Sequence, residues 1–397
     1  MIDLAHVRAD TPSAATQTFL NSAGASLMPR PVVSAMHDYL DQEAAFGGYA
    51  VQTAHAAVLG RVYDSIAHLI HARPQEIALL QSATAAWQMA CYSVALKPGD
   101  VVLSCEAEYA ANYVALLQIA QRTGIEIQVV PSCADTGELD LHAFQRMITP
   151  KVKLITLTWV PTNGGLVNPA AEVGRVARAH GIPYLLDACQ AVGQMPVDVQ
   201  ALGCDMLCAT GRKFLRGPRG TGFLFVREDY MDTLVPHTLD HFSAEWTSAQ
   251  AYTLRGDARR YETWEANCMA QRGLGVAVDY ALEIGVSNIE AYCHRLAGYL
   301  RAGLADIDGV TVHDLGRDPC AIVTFSLAGA AATDIAARAA QRHIAMSVSS
   351  PMSTRIDAVR RQLPDVVRAS PHYFNTTAEL DVLLDFLRAY QGGRSLS

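Results

Sequence analysis

Apolar runs of four to six residues recur through the first two thirds of the chain, and stretches with helical period separate them. Residues 76–80, 101–104, 126–130, 153–158, 182–186, 205–209 and 222–226 read as strands. Residues 84–95, 110–123, 139–147 and 169–180 read as helices between them. Strands that are apolar throughout belong to a sheet covered on both faces, and their alternation with helices makes that sheet mostly parallel. Ahead of it, residues 1–18 read as a polar lead, 19–24 as a short strand entering a tight turn, and 29–43 and 52–71 as helices. After about residue 256 the pattern changes. Two long helices (267–284 and 287–306) precede short strands near 309–313, 321–326, 344–348 and 366–369, with helices at 331–341 and 377–390. The expected organisation is therefore a lead at 1–19 packing on the smaller domain, a large α/β domain with a seven-stranded sheet at 20–255, and a small α+β domain at 256–397.

Composition narrows the function more by exclusion than by indication. The 397 residues are 50% hydrophobic and 18% charged, enough for a sizeable core. The net charge of −8 comes with no basic stripe, which argues against nucleic acid. No uncharged apolar run approaches the roughly 18 residues of a membrane span, and the N-terminus has no signal-peptide pattern. Nine cysteines are scattered without a repeated spacing, so neither a zinc site nor a disulfide framework is indicated, and a cytoplasmic protein with reduced thiols is expected. No Gly-x-Gly-x-x-Gly follows a strand, and no Walker pattern is present.

In open α/β sheets, ligands bind beyond the carboxyl ends of the strands, so the polar residues that follow the apolar runs are the candidates. Lys213 is the first of these. The chain has only four lysines, and Lys97, Lys151 and Lys153 sit in surface-like contexts. Lys213 instead lies between Met206-Leu207-Cys208-Ala209 and Phe214-Leu215. A buried lysine loses hydration, its pKa falls, and the neutral amine becomes a nucleophile fit for a Schiff base. Ser82-Ala83-Thr84 opens a helix and offers free N–H groups to an anion. Asp187 ends a strand where a carboxylate can hold a proton on a ring nitrogen, with Ala188 and Gln190 close by. Tyr109, in Glu108-Tyr109-Ala110-Ala111-Asn112, can stack on an aromatic ring, and Asn163, in Pro161-Thr162-Asn163-Gly164-Gly165, can donate to a phenolate oxygen. A phosphate cradle, a stacking ring, an acid for a pyridine nitrogen and a lysine together describe pyridoxal phosphate.

The runs Asp187-Ala188-Cys189-Gln190-Ala191-Val192-Gly193 and Gly211-Arg212-Lys213-Phe214-Leu215-Arg216-Gly217-Pro218-Arg219-Gly220-Thr221-Gly222 carry a resemblance. From residue 19 to 390 the chain resembles the class V aminotransferase and cysteine desulfurase-like group of fold type I pyridoxal-phosphate enzymes. That resemblance implies Lys213 as the Schiff-base lysine and Asp187 as partner of the pyridine nitrogen. It places Tyr109 over the ring, Asn163 and Gln190 toward the phenolate oxygen, and Ala83, Thr84 and Thr210 around the phosphate. Arg212 stands where many relatives have His and adds positive charge there. Arg368 matches the arginine that in this family clamps a substrate carboxylate. Beside it, Asn21 and Tyr49 are candidate substrate contacts of this chain, and Phe46, Gly48, Tyr49 and His241 are candidates for the side-chain pocket. A homodimer is also implied.

Two departures stand out. Desulfurases carry a nucleophilic cysteine on a small-domain loop, and the matching segment 346–352 (Met-Ser-Val-Ser-Ser-Pro-Met) has none. The Gly-Thr that many relatives lend to the partner's phosphate is replaced by Arg260-Tyr261-Glu262-Thr263-Trp264-Glu265. Within the group, Gly47-Gly48-Tyr49, Glu108-Tyr109…Asn112 and Arg212-Lys213…Gly217-Pro218-Arg219-Gly220 are most similar to the hercynylcysteine sulfoxide C–S lyases of ergothioneine biosynthesis. Isopenicillin N epimerase-like proteins are also similar. The expected activity is C–S β-elimination on a cysteine conjugate or its sulfoxide, with transamination and epimerisation as alternatives. A non-catalytic cofactor-binding module is the rival of another class, and the joint presence of Lys213, Asp187 and Arg368 argues against it.

Overall fold

The computed structural model describes residues 2–391. The large sheet has seven strands: β1 (Ile77–Leu80), β2 (Val101–Cys105), β3 (Glu126–Val130), β4 (Val152–Thr158), β5 (Tyr184–Asp187), β6 (Met206–Thr210) and β7 (Gly222–Val226). Their spatial order is β1-β7-β6-β5-β4-β2-β3. Pairing is parallel from β6 through to β3, while β7 runs antiparallel to both of its neighbours. The mostly parallel seven-stranded sheet is therefore present, with one reversed strand that periodicity does not mark.

Alternate residues feed opposite faces, as the pleat requires. Leu186, Leu207 and Phe225 join one core cluster, whereas Leu185, Met206, Cys208 and Leu224 join the other. Helices Ala83–Ser93 and Ala110–Thr123 cover the second face, and Ala56–Ile70, Ala170–Ala179 and Cys268–Ile284 cover the first. With both faces covered, every position of β2, β6 and β7 is buried, which is why these strands read as unbroken apolar runs. Each large apolar side chain so buried contributes roughly 1.5–3 kcal/mol. The edge strand β3 is the most open, with Glu126 exposed, and β4 exposes Lys153 near its start.

Beyond residue 256 the chain first returns to this body: Cys268–Ile284 lies against Arg30–Phe46 and Ala56–Ile70. It then builds a four-stranded sheet from β8 (Val310–Val312), β9 (Val323–Leu327), β10 (Ser347–Ser349) and β11 (Val366–Ala369), ordered β8-β9-β11-β10 and antiparallel throughout.

Three local features differ from the sequence reading. The lead is not plain polar coil but holds a helix, Leu4–Ala9, capped by the Asp3 carboxylate, too short to show a period. The expected helix over 52–71 is two, Gly48–Ala54 and Ala56–Ile70, broken at His55. An antiparallel pair, Ala244–Ser248 with Ala251–Leu254, is exposed almost throughout, so it offers no apolar face to read. The lead is tied to the C-terminal part. Thr18–Phe19 pairs in parallel with Ile344–Ala345, and Arg8 Nη1 donates to the Phe374 carbonyl at 2.8 Å and to Glu379 at 3.0 Å. Among the described residues no helix is long and apolar enough to cross a membrane.

Candidate active site

The parallel strands deliver the segments that follow them to one edge of the sheet. A cleft of about 220 Å³ opens there, lined by Ala83, Thr84, Tyr109, Asp187, Thr210, Arg212 and Lys213 among others. Two of the converging segments are locked together by Gly193, whose φ is 92°. A Cβ on Gly193 would lie 2.3 Å from the Leu215 nitrogen, so only glycine lets the chain after Asp187 lie against the chain after Lys213.

Lys213 leaves β6 through a turn and is half-buried at the cleft. Burial pushes its ammonium pKa below the ordinary lysine value; Cys189 and Asp187 pull it upward, and Arg212 and Arg368 push it further down. The net result is an amine more easily neutral than a surface lysine, as a nucleophile or base requires.

Asp187 closes β5 and is only 5% exposed. One carboxylate oxygen accepts from the Cys189 N–H at 2.9 Å and the other from Asn112 Nδ2 at 2.8 Å. These donors fix its plane. Asn112 Nδ2 also donates to Glu108 Oε1 at 3.0 Å. In this stretch the sequence assigns a role to Tyr109 alone, and Glu108 and Asn112 enter it only as part of a resemblance. The signal for Glu108 is in β4, where Thr156 and Thr158 interrupt an apolar run at alternate positions, and both hydroxyls donate to Glu108.

The anion cradle is the start of the helix Ala83–Ser93, capped by Ser82 Oγ, which accepts from the Ala85 N–H at 3.1 Å. The N–H groups of its first turn have no intrahelical acceptor and carry the positive end of the helix dipole. Thr210 Oγ1 donates to the Thr221 carbonyl at 3.2 Å, and Arg212 Nη1 donates to Thr210 Oγ1 at 3.4 Å, so a guanidinium stands beside the cradle. Tyr109 is the N-cap of Ala110–Thr123, with its ring part-exposed at the cleft.

The remaining candidates divide. Arg368 in β11 is 8% exposed; its Nε donates to Ser347 Oγ at 3.2 Å and its Nη1 to the Thr162 carbonyl at 3.3 Å and to Thr162 Oγ1. Burial lowers its pKa to about 10, with the Tyr109 hydroxyl opposing that fall and Arg212 adding to it. Its Nη2 has no hydrogen-bond partner among the described residues, which leaves a donor edge for a carboxylate. Asn21 bridges to Ser370, two residues beyond Arg368, and its Oδ1 is buried without a partner. Gln190 Nε2 donates to the Ala23 carbonyl at 3.2 Å, and its Oε1 is also buried without a partner. Asn163 turns away from the cleft: its Nδ2 donates to the Ser350 carbonyl at 3.1 Å and to Thr354 Oγ1 at 2.9 Å, and its Oδ1 accepts from Ser349. Both amide atoms are thus committed to the small-sheet loop. Tyr49, 67% exposed, lines a different hollow with Trp264, and His241 stacks near the same tryptophan at 5.3 Å.

A lysine with lowered pKa beyond one strand, a clamped acid beyond the next and a helix N-terminus beside them define a fold type I pyridoxal-phosphate site. The chain belongs to the aminotransferase class-V family, whose profile matches residues 18–383. It is 31% identical over 392 residues to a cysteine desulfurase of Yersinia pestis, covering 95% of this chain and 96% of that one. It is 28% identical over 393 residues to a probable cysteine desulfurase of Methanothermobacter thermautotrophicus, covering 97% and 98%. The apo cysteine desulfurase of Thermococcus onnurineus shares the fold, with a TM-score of 0.92 at 24% identity and 99% coverage of both chains. The protein is a pyridoxal-phosphate-dependent enzyme, and the cleft fits that cofactor. Lys213 offers a readily neutral amine, Asp187 a fixed carboxylate, and the Ala83–Ser93 helix unused donors.

Proposed function

We propose that this enzyme is a C–S lyase that removes the β-sulfur group of a cysteine conjugate or its sulfoxide. One substrate and one water give one thiol (or sulfenic acid), one pyruvate and one ammonium ion. When bound, pyridoxal phosphate supplies an electron sink for negative charge at the substrate α-carbon. Arg368 binds the α-carboxylate through its free guanidinium edge and so orients the α-carbon. Lys213, neutral at lower pH than an ordinary lysine, takes the α-proton at Nζ. Asp187 holds the proton at the cofactor's ring nitrogen. Thr84, Ala83, Thr210 and Arg212 hold the phosphate.

The observation that carries the choice of reaction is the segment 346–352. Where desulfurases keep a nucleophilic cysteine on a small-domain loop, this chain has serines and methionines, and Asn163 pins residues 349–354 in place. Transfer of sulfur to a protein thiol on that loop therefore has no acceptor, whereas elimination of a whole sulfur substituent needs none. Nine free cysteines, most of them buried, are in keeping with a cytoplasmic setting. A homodimer is part of the same reading, and the exposed aromatics Tyr49 and Trp264 are surface it could cover.

The test is a product assay on S-substituted cysteines, their sulfoxides, free cysteine and plain amino acids. Pyruvate and ammonia in equal amounts, from the sulfur conjugates alone, are expected. Alanine and a protein-bound persulfide from free cysteine would sink the proposal in favour of desulfuration. A keto acid without ammonia would sink it in favour of transamination.

A further inference from the structure

Glu108 has no assigned role, yet it is among the most tightly held side chains in the molecule. It is 3% exposed and accepts from five donors: Ser104 Oγ at 3.1 Å, Thr156 Oγ1 at 3.3 Å, Thr158 Oγ1, the Tyr109 N–H at 3.0 Å and Asn112 Nδ2 at 3.0 Å. Two of these, the backbone N–H and the amide nitrogen, can only donate. The environment is built for an acceptor, although burial raises the carboxyl pKa and the neighbouring Asp187 raises it further.

The amide of Asn112 is the link. Its nitrogen carries two hydrogens, and two different carboxylates take them, Glu108 at 3.0 Å and Asp187 at 2.8 Å. Turning the amide over would set its carbonyl oxygen against both acids, so the bridge has one orientation. A pair of buried carboxylates on one amide is costly, and a wholly structural bridge would be served as well by neutral groups. What the second carboxylate adds is negative potential close to Asp187. The other titratable groups beside Asp187 do not supply it. Cys189 and Cys208 have sulfurs within 4.8 Å of the carboxylate, and burial drives the Cys208 thiol pKa up, while Lys213 is cationic when charged.

We propose that Glu108 is a positioning residue that acts through Asn112: it fixes the aim of Asp187 and strengthens its hold on the proton that it faces in the cleft. This rests on the cofactor reading of the cleft, in which that proton is the one on the ring nitrogen.

The experiment reconstitutes the full-length protein with ring-15N-labelled pyridoxal phosphate and follows the nitrogen resonance against pH. In wild type the ring nitrogen stays protonated across the neutral range. In Glu108→Gln, which keeps the shape and removes the charge, its apparent pKa falls by about one unit. Asn112→Ala, which frees the Asp187 carboxylate from its aim, gives a fall in the same direction, and Glu108→Gln lowers the value less in that background than in wild type, because part of its effect runs through the amide. Asn112→Ala also keeps the test available should Glu108→Gln fail to fold. A folded Glu108→Gln or Asn112→Ala protein with a wild-type nitrogen titration would overturn the inference, and so would strictly additive effects in the double variant. A wild-type protein that takes up no cofactor would instead overturn the reading of the cleft, and the inference with it.

Discussion

The two ends of the large sheet each carry a cavity, and the larger one is at the end without converging chemistry. At the amino end of the strands a hollow of about 690 Å³ is walled by Ile148, Pro150, Val152, Ile182 and Pro183, with Lys153 and His180 among its few polar groups. At the carboxyl end the cleft is only about 220 Å³. Strand polarity makes the difference. The segments after β2, β5 and β6 all emerge at the carboxyl end, where helices also begin, so donors and positive dipole ends collect there. The amino end receives helix ends such as His180, after Ala170–Ala179. Convergence of polar groups, rather than volume, marks the site.

Substitutions at the two ends should therefore differ by orders of magnitude. Lys213→Ala should lower turnover by at least about 10³-fold in the pyruvate assay; a variant with wild-type turnover would erase the distinction between the ends. Arg368→Gln should raise KM about 10- to 100-fold with a smaller change in kcat, as expected when a charge-assisted contact to a bound carboxylate is lost. An unchanged KM would move the carboxylate site elsewhere.

The pH dependence sharpens the comparison further. Because Arg212 helps push the Lys213 pKa down, removing its charge should push it back up. Capture of added cofactor by apo-protein requires the neutral amine, so its rate rises with pH, and in Arg212→Gln the midpoint should move to higher pH. Asp187 acts in the opposite sense, so Asp187→Asn should move the midpoint lower. Stopped-flow absorbance against pH reads both, and shifts of the reverse sign would refute the electrostatic account. At the other end, Lys153→Ala and His180→Ala should leave kcat/KM within about twofold of wild type, as surface changes usually do. A tenfold loss there would give the larger cavity a role.

Lys213 and Asp187 were legible in the sequence because each stands at, or within three residues of, the end of a run apolar enough to be a buried strand. Backbone order alone then places them at one edge. Glu108 and Asn112 were not legible as partners of Asp187. Their meeting depends on which face of β4 carries Thr156 and Thr158 and on how the helix Ala110–Thr123 approaches β5. Asn163 shows a different limit. Its place beyond the strand at 153–158 follows from the sequence, but nothing local tells whether its amide faces the cleft or the loop at 349–354. Tyr49 lies on a short helix, and only its tertiary setting gives it to the hollow beside Trp264. The reversed direction of β7 escaped for the same reason: an apolar run has no arrow.

The tie between the lead and the C-terminal part also bears on how the chain is made. Arg8 and Phe374 are 366 residues apart, yet a hydrogen bond joins them. At about 5–20 residues per second, the first-made segment waits roughly 20–70 s for its partner to leave the ribosome. Through that interval Thr18–Phe19 is an unpaired edge, open to foreign strands. Such a long closure raises contact order and slows the last stage of folding. An amino-terminal fusion or truncation should accordingly be felt in the yield of folded protein well before it is felt at the cleft.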